Sequence, residues 1–213
     1  MSMRRSAASG WLALSAALLL AAGCSSAHKG RLTLEGDESR TFYAQNFDLA
    51  YISGSRQGEY DLILMQDPAL VSSGKAGLNK PLQPLNGGEL RQVVHVHVLW
   101  QASGGSVAKD GVVTNATIDW YVLGSATGDR QEVLRYQGAG YVLLDEGRKA
   151  TKVVIRDGTI RMSELNGDLR DPIGPARLTG TVKATRNSEY VRGLLADLRA
   201  QTAGQKTAVS EAR

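Results

Sequence analysis

The sequence predicts an all-β domain, mainly antiparallel, closed by one C-terminal amphipathic helix. Three observations carry that prediction. Apolar and polar residues alternate over successive short segments between Arg31 and Thr185, which is the period of a strand with one face in a core. Clusters rich in Gly, Ser, Asp and Pro separate these segments at the spacing of roughly 8–12 residues that suggests a sandwich or a barrel. Only after Asn187 does the period change to that of a helix. About eight strands result, and a β-sandwich and a partly open β-barrel fit the pattern equally.

The stretch before the domain has a different character. Arg4 and Arg5 supply a positive start, Trp11 to Ala22 form an uncharged apolar run, and Ala22-Gly23 place small residues at a cleavage point. A membrane-spanning helix needs about 20 apolar residues, so 1–23 reads as a signal peptide. The run ends at Cys24, the one cysteine of the chain. Leu20-Ala21-Ala22-Gly23-Cys24 resembles the lipobox of bacterial lipoproteins. The resemblance implies cleavage after Gly23, a diacylglyceryl thioether on Cys24 and an acylated amino terminus. Ser25 after the cysteine, in place of an aspartate, implies sorting to the outer membrane with the domain facing the periplasm. No cofactor beyond these covalent acyl chains is expected.

Removing 1–23 takes away Arg4 and Arg5, so the 25 basic residues fall to 23 against 21 acidic ones. The charges are well mixed, and no basic stripe suited to nucleic acid results. With Cys24 given to lipid, no disulfide, thiolate nucleophile or cysteine metal site is available. Residues 24–30 form a lipidated tether whose last six residues reach at most about 20 Å. The single domain, 31–202, is therefore held close to the membrane.

Along the domain, Arg31 to Leu34 alternates, and Phe42 to Ile52 carries Phe47, Leu49 and Tyr51 in one rhythm. Tyr60 to Gln66 follows. Asp67 to Glu89 contains Pro68, Pro81, Pro84 and Gly87-Gly88 and reads as a long loop, because proline removes a ladder donor. Arg91 to Gln101 sets Val94, Val96, Val98 and Trp100 on one face and Val93, His95, His97 and Leu99 on the other. Through the Gly/Ser-rich 102–111 it pairs with Val112 to Leu123 as a hairpin. After a turn at 124–130, Gln131 to Leu144 is the longest strand, and Gly138-Ala139-Gly140 within it suggests a bulge or bend. Asp157-Gly158 is the pair a type I′ turn prefers. It predicts a hairpin over Lys152 to Met162, with Val153 opposite Met162 and Ile155 opposite Ile160. Asp171 to Pro175 is a loop, and Arg177 to Thr185 is the last strand. From Ser188 to Gln201 a stripe of Tyr190, Val191, Leu194, Leu195 and Leu198 predicts a helix capped by Asn187 or Ser188. Residues 203–213 read as a disordered tail.

His95 and His97 carry the chemistry most open to function. Two apart on a strand, they share a side and suit zinc, copper, iron or nickel; two half-buried histidines satisfied by neighbours are the structural alternative. With Gly88 upstream and Gln101 downstream, the stretch loosely resembles the first metal motif of the cupins. Gln101 stands where that motif has a glutamate, the glycine spacing is one residue longer, and the second motif is missing. His28 lies in the tether. A carboxylate such as Asp119 would be needed to complete a site. There is no Gly-x-Ser-x-Gly elbow and no phosphate-cradling Gly-x-x-x-x-Gly-Lys loop. The expected function is a non-enzymatic binding or accessory module, lipid-anchored in the envelope and docking a protein partner through the 67–89 loop or a sheet edge. A barrel carrying a small apolar ligand near Trp100, Trp120, Tyr136 and Tyr141 is the alternative. A metal-dependent enzyme at His95 and His97 is the third reading.

Overall fold

The computed structural model describes residues 29–36, 42–54, 58–68, 85, 89–101, 114–127, 130–167, 169–171 and 173–210. Cys24, His28, most of the 67–89 loop and 102–113 lie outside the described residues, as do the predicted cleavage and lipidation points. Among the described residues, nine strands lead to a C-terminal helix: β1 Gly30–Gly36, β2 Phe42–Phe47, β3 Leu49–Gly54, β4 Tyr60–Gln66, β5 Arg91–Val98, β6 Ala116–Thr127, β7 Arg130–Glu146, β8 Thr151–Asn166, β9 Ala176–Arg186 and α1 Ser188–Ser210.

The strands form one sheet, ordered β2-β1-β9-β3-β4-β5-β6-β7-β8, and β8 pairs again with β9. One edge of β9 therefore serves β8 while the other serves first β1 and then β3. The β3–β9 contact is parallel and short, Tyr51 with Thr185 and Ile52 with Arg186. It brings the sheet back on itself, so the architecture is the partly open barrel, with one interior rather than two facing sheets.

Alternation assigns the faces. Leu32, Leu64, Val94, Val96, Ile118 and Trp120 point inward and are at most 1 % exposed. On the outer wall a second cluster, including Ile63, Met65, Val93 and Leu123, is covered by Tyr190, Val191, Leu194 and Leu198 of α1. The helix thus lies on the barrel's side, with the predicted stripe facing the sheet. Asn187 caps it, its Oδ1 accepting from the Tyr190 amide at 3.0 Å. The helix continues beyond Gln201 to Ser210, so 203–210 is helical where a disordered tail was expected.

Three other expectations are corrected. The 42–52 rhythm is interrupted at Asp48, whose amide bonds the Met65 carbonyl. Phe47 faces the interior, whereas Leu49 and Tyr51 face the helix. Asp157-Gly158 does not reverse the chain: β8 runs straight through it, and the pair lies opposite Gly140 of β7 as a bulge. Asp157 takes φ +49°, so the left-handed backbone that a type I′ turn would use is used here within a strand. Finally, β6 runs on to Thr127, and its register slips at Gly124-Ser125, where the turn was expected. The bend at Gly138–Gly140 is as read from sequence. A Cβ at Gly138 would lie 1.6 Å from the Thr159 carbonyl oxygen, so only glycine lets β7 and β8 close this tightly.

Candidate metal centre

The two histidines of β5 and one carboxylate of β4 converge on the outer wall. β4 and β5 are antiparallel, with Asp61 opposite His97 and Ile63 opposite His95. Because Val94, Val96 and Val98 face the core, His95 and His97 must face outward with Asp61. The Asp61 Oδ1 lies 2.8 Å from His95 Nε2 and 2.9 Å from His97 Nδ1. The different nitrogens follow from the register. His97, directly across, reaches with its near nitrogen, and His95, on the diagonal, reaches with its far one. Two imidazole N–H groups donating to one carboxylate oxygen account for the geometry without any further group.

The outer row of β5 grades from covered to open. Arg91 is fully buried against Asp67 at 2.8 Å, Val93 lies under α1, and His95 and His97 side chains are 15 % and 33 % exposed. The hydrogen bond from His95 is the largest influence lowering the Asp61 carboxyl below the usual carboxylate range; burial opposes it and His97 assists. An ionised oxygen and two imidazole nitrogens, all within 4.8 Å of one another, are a recognisable ligand set. Ligands about 2.1 Å from a common ion would lie about 3–4 Å apart, so small side-chain rotations suffice. Beside the site, a groove of about 300 Å³ runs between α1 and the sheet. Asp61 and Glu59 line one side of it, and Arg192 and Arg199 line the other.

Asp61 was not singled out by the sequence. The carboxylate named there, Asp119, stands opposite His95 on β6, yet its Oδ1 is held by Arg135 at 2.8 Å and by Gln137 at 3.0 Å. Gln101 lies past the end of β5, its side-chain amide 3.2 Å from the Tyr60 hydroxyl rather than beside the histidines. The cupin-like spacing is therefore not matched by a common site. The aromatics proposed to line a ligand cavity are also dispersed: Trp120 and Tyr136 are buried in the core, while Trp100 is 42 % exposed. At one barrel end, an opening of about 200 Å³ lined by Leu34, Trp120, Leu134 and Tyr136 falls below the ~300–1,000 Å³ usual for ligand pockets. Comparison of the chain with protein-family models, curated proteins and solved structures gives no match.

Proposed function

We propose that this chain is a lipid-anchored accessory protein of the bacterial cell envelope that holds one divalent transition-metal ion at Asp61, His95 and His97. The observation that carries the metal reading is the convergence of one carboxylate oxygen and two imidazole nitrogens from adjacent strands. Imidazole and carboxylate donors suit zinc or iron(II), and three protein ligands leave positions for a further group. The neighbouring guanidinium groups of Arg192 and Arg199 favour an anionic group there, such as a carboxylate from an envelope partner. The anchor reading rests on residues 1–24: cleavage after Gly23, acylation of Cys24 and, through Ser25, placement at the outer membrane facing the periplasm.

Metal-free protein titrated with cobalt(II) should bind one ion per chain and develop visible ligand-field absorption. Asp61→Ala and His95→Ala should each abolish it. Equal, weak binding by the wild type and a variant lacking all three side chains refutes the metal site. Incorporation of labelled fatty acid, lost in Cys24→Ala, tests the anchor independently.

A further inference from the structure

Several strand ends meet at one end of the barrel. Tyr60 of β4 pairs with Val98 of β5, Val98 with Ala116 of β6, and Glu146 of β7 with Thr151 of β8. A polar network ties them together: the Tyr60 hydroxyl donates to Glu146 at 2.6 Å, and Arg186 of β9 pairs with the same carboxylate. Directly past β5, Leu99 and Trp100 are 45 % and 42 % exposed. Their exposure is not that of a loose loop. Asn115, fully buried, accepts the Leu99 amide on its carbonyl at 2.8 Å, and its side-chain nitrogen donates to the Trp100 carbonyl at 3.1 Å. The backbone is fixed, and the two apolar side chains are held outward.

The chain also enters from this side. β1 runs away from this end, starting at Gly30, and Lys29 is tied in just before it, its carbonyl accepting from the Lys183 amide. The exposed Arg148 and Lys149 occupy the β7–β8 turn at the same end, and the nearby Glu146 is engaged by Tyr60 and Arg186.

We propose that this end of the barrel rests on an anionic lipid surface, with Leu99 and Trp100 seated in its headgroup region. The proposal rests on the anchor reading for its placement. A lipid at Cys24 leaves only four residues, Ser25 to His28, before Lys29, and the five residue steps span roughly 17 Å at full extension between bilayer and domain. Tryptophan with a wet ring edge and an apolar body favours that boundary, and the turn cations complement anionic headgroups.

The test uses the full chain purified from membranes and reconstituted in phosphatidylethanolamine–phosphatidylglycerol vesicles, with or without brominated acyl chains. Intact mass establishes acylation first. Trp120 is 1 % exposed, so quenching by bromine should come from Trp100 and be lost in Trp100→Phe. Arg148→Glu with Lys149→Glu should reduce it. Circular dichroism checks that each variant keeps its fold. If acylated protein gives the same Trp100 emission in both vesicles, the seat is wrong. Shielding of Trp100 only after solubilised envelope proteins are added assigns the surface to a protein partner and also overturns it. Quenching in Trp100→Phe that vanishes on Trp11→Phe means an uncut leader and sinks the anchor reading alone; the seat is still read from the wild-type minus Trp100→Phe difference.

Discussion

Replacing Gly138 by alanine tests the packing that curls the barrel. The added Cβ would sit 1.6 Å from the Thr159 carbonyl oxygen, 2.7 Å from its carbonyl carbon and 2.9 Å from the Ile160 Cα. All three obstacles are backbone, so no side-chain rotation relieves them. Moving the oxygen to even 3.0 Å requires about 1.4 Å of separation between β7 and β8, since ordinary carbon contacts begin near 3.5 Å. That shift breaks ladder bonds around Gly138 and Ile160, a loss of about 0.5–1.5 kcal/mol each, and adds overpacking strain of about 1–3 kcal/mol. A destabilisation of about 2–4 kcal/mol follows, a large part of the ~5–15 kcal/mol typical of a domain. Gly193 is the internal control. Nothing lies within 4 Å of its Cβ position on the exposed side of α1, so Gly193→Ala should stabilise by about 0.5–1 kcal/mol. Urea unfolding of the two variants beside the wild type measures both. A Gly138→Ala change within 0.5 kcal/mol of wild type, on the scale set by ordinary surface substitutions of about that size, refutes the close-approach argument.

Other expectations concern single groups. Asp61 has its carboxyl lowered in the fold, so its contribution is present above the unfolded value, about 3.9, and is lost as pH falls through the folded one. The gap in urea midpoint between wild type and Asp61→Asn should therefore narrow on acidification below about pH 4; a gap that stays unchanged through that acid range contradicts the assignment. Tyr190, its ring tilted at 51° against that of Tyr51 with the centroids 4.5 Å apart, is pushed up to about 12 by burial. Its contribution is complete below the unfolded value, near 10, and disappears as pH rises through about 12. Alkaline difference absorbance should show one late tyrosine missing in Tyr190→Phe. Asn187→Ala, which removes the cap on the Tyr190 amide, should lower stability by about 1 kcal/mol, read as a shift in urea midpoint without a change in slope.

Local chemistry made much of this fold legible, and partner strands decided the rest. Val94, Val96 and Val98 could be assigned to the core because alternation has only two phases. The α1 stripe was equally clear, since Tyr190, Val191, Leu194 and Leu198 bury together. Asp157-Gly158 was misread because the same positive φ serves a tight turn and a bulge. What distinguishes them is Gly140 across the ladder, which no local window contains. The phase slip at Asp48 is likewise invisible in an apolar run that reads as continuous. Asp61 was missed for a related reason. A hairpin turn would have fixed the β4–β5 register, but the long 67–90 connection leaves it free, so nothing in the sequence set Asp61 opposite His97. Asp61 is the one charged residue within β4, and that was the available signal.

The most direct test of the account is the metal content of the protein isolated from cell envelopes without added metal or chelator, by elemental analysis against protein concentration. The account predicts about one transition-metal ion per chain, as three protein ligands would hold, and its loss from Asp61→Ala while the variant still fractionates with the envelope. Wild-type protein at the metal level of Asp61→Ala would contradict it, and would leave Asp61, His95 and His97 as a hydrogen-bonded cluster on the barrel wall.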